Sequence, residues 1–397
     1  MQDTRASRPA PRLVAVAAFA LFAANAAHAV DWTGYMRGGP AATTVSGESR
    51  QCYGLASPGL KYRLGNECDF YGEFQLAQAV KADGVDFNAV LMTNYYSPQT
   101  ESNANYGIEQ AYVEMKGVDL APQALFWMGK RRDRDDVHIV DTFFTNMSGV
   151  GAGIENIDAG FGKFGIAGYK TDSNPSVNNT NGIARIHAQL YDIPVNPDGK
   201  LRLVGTFSKA DSQGGVKGKD GFGFTAEHVQ DKFFGGGNHI WVQYAQGSTN
   251  INQGFGNAVA DSGTKTWRVV ESPSWQIGAF GGQAIALYQH DEAANGVKWN
   301  SYTLGGRGSW GVTKNLKFLT EVGFSGRKPN SGSQENLTKI TIGPALSTGP
   351  DFWKRPELRL YVTYADFNKA AAADAANGLP TNKTNAVSYG AQVEIWF

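Results

Sequence analysis

Cysteine is almost absent: the 397 residues contain two, Cys52 and Cys68. That excludes a multi-disulfide scaffold, and no Cys or His pair lies around them at zinc-ligand spacing. An excess of either charge is also missing, with 36 Lys+Arg against 36 Asp+Glu. A nucleic-acid binder normally carries a basic excess or stripe, so no nucleic-acid partner is expected. Beyond the N-terminus no apolar stretch approaches 18 residues, and no transmembrane helix is expected. Catalytic motifs are wanting too. There is no P-loop and no G-x-S-x-G, and His138, His187, His228, His239 and His290 show no metal-ligand pairing. The stretch Gly306-Arg307-Gly308-Ser309-Trp310-Gly311 fits a dinucleotide fingerprint by letters, but no helix follows it. No cofactor or metal is expected.

Glycine and aromatics are plentiful. Glycine accounts for 49 residues, well above the usual ~7%, and aromatics for 12%, while mean hydropathy is −0.33. This combination argues against a helical bundle and against a disordered chain, which would be poor in aromatics. A soluble chain of this length would usually split into two domains unless it formed one large barrel.

The N-terminus points to export. Arg5, Arg8 and Arg12 precede an apolar run from Leu13 to Ala24 and the small-x-small site Ala27-His28-Ala29. This is the order of a secretory signal peptide, and the run is too short to span a bilayer. Residues 1–29 are therefore expected to be removed, leaving 30–397 as one domain. Without Arg5, Arg8, Arg12 and Asp3 the remainder holds 33 basic and 35 acidic groups. In an oxidising compartment the two cysteines read as one disulfide, closing a loop worth ~3 kcal/mol in the chain-entropy description.

The hydrophobic period is two. Tyr389, Ala391, Val393, Ile395 and Phe397 alternate with Gly390, Gln392, Glu394 and Trp396, and Leu358–Tyr364 and Leu316–Val322 repeat the pattern. Phe70, Phe74 and Leu76 alternate with Tyr71, Glu73 and Gln75. Alternation suits a soluble sandwich, with its polar face to water, or a transmembrane barrel, with its apolar face to lipid. Export and a final strand ending on an aromatic residue favour the barrel, whose closure removes edges a bilayer does not tolerate. Over the 368 residues 30–397, eighteen strands would take about 20 residues each with connections and sixteen about 23; both suit an aqueous channel. An enzyme would have to be an outer-membrane hydrolase with a Ser/His pair on the barrel wall, which nothing signals.

One segment is chemically distinct. Lys130–Asp141 holds four basic and four acidic side chains after an apolar stretch ending near Trp127. It reads either as a solvated charged loop or as a loop folded into the lumen as a constriction. Mixed charge suits a neutral polyol, whose hydroxyls each donate and accept; an anion pore would show a basic excess instead.

Several motifs carry a family likeness: Val30-Asp31-Trp32-Thr33-Gly34-Tyr35-Met36-Arg37, Lys61–Cys68, Gly129-Lys130-Arg131, Asp136-Val137-His138 through Asp141, Gly149–Asp158, Phe352–Glu357 and Gly390–Phe397. Together they resemble the maltoporins, sugar-specific porins of the outer membrane, collinearly from residue 30 to the end. The resemblance implies an all-β transmembrane antiparallel barrel of about 18 strands with an inward-folded constriction loop. It also implies a homotrimer in Gram-negative outer-membrane lipid, passing maltose and maltodextrins by facilitated diffusion. It assigns Tyr35, Tyr71, Trp353 and Trp396 to a lumenal aromatic slide, with Tyr106 standing in for a Trp that a neighbouring subunit lends. Arg37, Arg63, Glu73, Arg134, Asp136 and Asp141 fall on a polar track, and Phe143 replaces a track Tyr. Parity agrees independently: Trp396 shares a face with Glu394, Tyr71 with Glu73 and Tyr35 with Arg37. An expected Arg becomes Glu109 or neighbouring Gln110, and a mid-slide Phe becomes Ile240 beside Trp241. These departures leave room for a disaccharide such as sucrose, for another oligosaccharide, or for general diffusion.

Overall fold

The computed structural model describes residues 30–57, 59–98, 104–140, 142–171, 182–213 and 216–397. The expected leader, 1–29, and Asp141 lie outside them. Antiparallel strands run from Asp31–Gly38 to Asn385–Trp396, each paired with its sequence neighbour on the barrel wall. The first strand closes the ring: Tyr35 pairs with Trp396 on one side and Glu73 on the other. Its continuation, Ala41–Thr43, pairs with the same last strand, so the wall is an 18-stranded closed barrel. Eighteen, rather than sixteen, is the outcome that length alone left open.

The connections are unequal. At the end holding Asp31 and Phe397 most turns are short, such as 83–84, 197–198, 234–235 and 278–279. At Asp83-Gly84 both residues adopt positive φ, the twist that suits a two-residue hairpin. The other end carries long loops, including 44–69, 132–148, 247–264 and 368–384. Short turns face the periplasm in such barrels and long loops the exterior, which orients the molecule.

Alternation places the apolar side chains outward. Leu304, Leu346, Leu358, Leu360 and Val362 are exposed, whereas Arg307, Glu321, Lys339, Arg359 and Glu394 are buried inside. This inversion of a soluble core is what a lipid-facing wall requires.

The interior is not an open tube. Two long loops fold into it and bury a cluster that includes Leu60, Tyr62, Val137, Ile139, Phe144, Trp241 and Ile285. Loop 132–148 carries a hairpin, Arg134–Asp136 against Phe143–Asn146. Arg185 donates to the Met147 carbonyl at 2.7 Å, and Gln243 and Arg268 donate to that of Phe144 at 2.7 and 3.1 Å. These bonds pin the loop to the wall between Ile183 and Ile277. Loop 44–69 meets it: Tyr62 bridges Val140, and the Arg63 amide donates to the Ile139 carbonyl at 3.0 Å. Cys52 and Cys68 form the expected disulfide within that loop.

Candidate lumenal site

The first, second and last strands, with the turn 348–356, present aromatic rings to the barrel interior. Tyr71 and Tyr35 have ring centroids 6.2 Å apart. Next along the wall comes Trp396, and then Trp353, raised from the periplasmic turn. That turn is held up from below: Lys317 donates to the Asp351 and Lys354 carbonyls at 2.8 and 3.2 Å and pairs with Glu357 at 2.6 Å. His138, on the constriction loop, stands 5.4 Å from both Trp396 and Trp353. The ring line thus follows from parity on the strands and from one turn that folds inward.

Charged groups run beside the rings. Glu394 accepts from Arg359, from Arg355 at 3.0 Å, from Arg63 at 3.3 Å and from the Tyr35 hydroxyl at 3.1 Å. Arg63 also donates to the Tyr35 hydroxyl and to Glu67. Arg37 makes a two-point contact with Asp69 at 3.2 and 2.8 Å and meets Glu67 at 3.3 Å. Burial works against the Glu67 carboxylate, yet Arg63, then Lys61 and Arg37, draw its pKa down to about 2. Glu73 accepts from the Tyr71 hydroxyl at 2.8 Å and from Arg132, and Arg134 stands 3.6 Å away. Arg134 in turn covers the Phe143 ring, 4.2 Å above its centroid. A carboxylate with several guanidinium donors keeps its charge in a fixed orientation, which a hydroxyl passing through water must match.

Of the residues assigned from sequence, Tyr35, Tyr71, Trp353, Trp396, Arg37, Arg63, Glu73, Arg134 and Phe143 gather here. Asp136 opposes Phe143 at the exposed edge of the loop hairpin. Tyr106 does not join them; it pairs with Tyr95 on the outer wall and is 84% exposed. Ile240 also faces outward, because its neighbour Trp241 points in, where it stacks on Phe144 at 5.3 Å and is fully covered.

Sequence reasoning missed Arg132. Its guanidinium reaches Glu73, Glu109 at 3.2 Å and the Tyr71 hydroxyl at 3.4 Å. It therefore supplies a cation beside Glu109, where the family pattern has an Arg. Arg355, Arg359, Glu67 and Glu394 were missed as well. Glu394 was legible, since it shares the polar face with Trp396; Arg132 sits on a loop, where parity says nothing. Among the described residues no cluster of His, Cys, Asp and Glu is arranged to hold a metal ion.

The chain is similar to several solved structures. The chain is 11% identical to a Salmonella typhi OmpF solved in complex with daunomycin, with TM-score 0.50, covering 92% of this chain and 97% of that one. An Acinetobacter baumannii OccAB2 (10% identity, TM-score 0.49, 93% and 98% covered) and an anion-selective porin from Comamonas acidovorans (10%, 0.45, 92% and 99%) are further matches. At these identities the likeness to OmpF concerns the fold. The profile of the LamB porins, by contrast, matches residues 30–397, the whole of the described barrel. The chain belongs to the LamB porin family, the maltoporins, and is a channel of the outer membrane rather than an enzyme.

Proposed function

We propose that the channel is selective for sugars and passes maltose and maltodextrin-type oligosaccharides by facilitated diffusion, as a homotrimer. The observation that carries this reading is the line Tyr71, Tyr35, Trp396, Trp353 set directly against Glu73, Arg63 and Glu394. A glucose unit has flat apolar faces and an equatorial rim of hydroxyls, so it needs both surfaces at once. Rings alone would suit any hydrophobe, and charges alone any ion. Binding must stay weak enough for release, which favours stacking over deep enclosure. Tyr106, which faces outward and is exposed, is read as serving a neighbouring subunit rather than its own lumen.

Trp396 tests the reading. Stacking of a flat ring on an aromatic side chain is worth ~1–3 kcal/mol for bases, and a sugar face belongs at the weak end. Trp396→Ala should weaken maltodextrin block of single-channel current about five- to tenfold, since 1.4 kcal/mol is tenfold. Ion conductance should hold or rise. Unchanged block in well-folded channels would favour general diffusion. A preference for a disaccharide such as sucrose is the second reading, favoured by Phe143 and Glu109, which alter the hydroxyl partners at the constriction.

A further inference from the structure

The outer wall carries a feature that the lumen does not explain. Between the strands Lys163–Thr171 and Leu316–Pro329, five lysines point outward from strand ends on the long-loop side: Lys170, Lys209, Lys265, Lys298 and Lys328, all exposed. Cross-strand register groups them. Lys170 and Lys209 both oppose Ala184, which puts them two strand spacings apart, about 10 Å. Lys265 and Lys298 both oppose Glu292, and Lys328 opposes Asn300 two residues along from Lys298. Glu292 is the one carboxylate on these outward strand ends, and it pairs with Lys298 at 3.1 Å. Asp211, 3.9 Å from Lys170, belongs to a loop. On the other arc of the wall the outward Lys130 is held by the Ile108 carbonyl.

Height decides what this row can meet. Two to four residues nearer the barrel waist lies a belt of outward rings: Phe222 with Tyr244 at 5.6 Å, Trp267 with Tyr288 at 5.5 Å, and Tyr302 with Phe324 at 5.9 Å. Aromatic belts mark the boundary between hydrocarbon and headgroups. Lys265 follows two residues above Trp267, roughly 7 Å further out along the strand. The ammonium groups therefore sit at headgroup level in the outer leaflet, over lipid rather than over the lumen. Lysine stems lie along apolar surface while their heads reach the polar layer.

We propose that this arc is a binding surface for phosphorylated glycolipid headgroups of the outer leaflet, with the Lys265–Lys298–Lys328 group as its strongest part. Each cation near an anionic surface adds attraction, and the groups' spacing allows one multiply phosphorylated headgroup to span two of them. The inference concerns the outer wall and stands whichever solute the lumen prefers.

The test uses the purified full-length mature channel, stripped of lipid in detergent and incubated with bisphosphorylated lipid A, then weighed by native mass spectrometry. Lipid A should remain bound and dephosphorylated lipid A should not. The triple variant K265E/K298E/K328E should retain at least tenfold less lipid A, whereas K232E/K314E, reversing exposed lysines at the short-turn end, should retain as much as the parent. Should the triple variant fail to fold, K265Q/K328Q should still reduce binding at least threefold. Equal retention of the dephosphorylated lipid, an equal loss in K232E/K314E, or undiminished binding in the lysine variants would overturn the proposal.

Discussion

The Arg355 guanidinium lies 4.1 Å above the centroid of the Trp396 ring, while the same side chain donates to Glu394 at 3.0 Å and Glu357 at 3.1 Å. One face of the tryptophan is thereby covered by a cation. The arginine fixes the plane of the platform and neutralises two buried carboxylates. Cation–π contacts are worth about 0.5–1 kcal/mol where solvent reaches them. Arg355→Lys keeps the charge but loses the planar cover, so sugar block should weaken about two- to fivefold with conductance nearly unchanged. Planar-bilayer titration with maltodextrin measures both.

Arg132 balances a different pair. It is the cation that bridges Glu73 and Glu109, and removing it leaves two carboxylates facing the lumen near the Tyr71 platform. Arg132→Gln should shift the reversal potential in a potassium chloride gradient toward cation selectivity. It should also weaken sugar block, since Glu73 loses the partner that orients it. Arg134→Gln should shift the potential less, because Arg134 stands further from Glu73, at 3.6 Å. An equal shift in both variants would mean that the two arginines act only through net charge.

How much of this was legible follows from periodicity. Wherever a residue sits on a strand, parity told inside from outside: Trp396 with Glu394, Tyr71 with Glu73, Tyr35 with Arg37. Length did not separate 16 strands from 18, because loops of uneven size share the remainder. The loop contacts were illegible for a physical reason. Arg132, His138 and Glu67 reach the site through inward folding of loops 44–69 and 132–148, and tertiary folding of a loop leaves no period behind. Trp241 shows the limit of parity itself. It does face inward, but Phe144 from the constriction loop covers it, so direction alone does not make a slide residue.

The inward fold of loop 44–69 depends on two glycines. A Cβ at Gly323 would lie 2.0 Å from the Tyr62 ring, and one at Gly305 would lie 2.5 Å from it. The ring fits flat against bare backbone there, and its hydroxyl meets Thr303 at 2.8 Å. Gly323→Ala cannot be absorbed by a small shift, and overpacking of this kind costs ~1–3 kcal/mol. The ring should be expelled and loop 44–69, with the Arg63 that it carries, should loosen. The expected signs are noisier open-channel current and faster proteolysis in the loop, while the barrel keeps its heat resistance on gels. Unaltered noise and cleavage would show that Tyr62 does not anchor the loop.

His138 makes the same loops sensitive to acid. Arg355 donates from Nη2 to His138 Nε2 at 3.0 Å, a contact that requires an unprotonated ring nitrogen because arginine only donates. Burial, against the pull of Glu394, pushes the imidazole down from its ordinary 6.5 to about 4, and Arg63 and Arg355 add to the depression. With the loop displaced into water the ring would titrate near 6.5. Below that pH the displaced form takes up a proton that the docked form refuses, so docking weakens as pH falls. The loss begins near pH 6.5 and is complete near pH 4, amounting to about 3 kcal/mol at 1.36 kcal/mol per unit. Asp135, raised to about 6 by burial and by Glu227, works in the opposite sense, favouring the docked form as pH falls. Comparison of wild type with His138→Gln isolates the histidine. Wild-type sugar block should weaken and gating noise should rise between pH 6.5 and 4, and the glutamine variant should lose that part of the dependence. Identical pH profiles for the two channels would refute a role for His138 in holding the constriction loop.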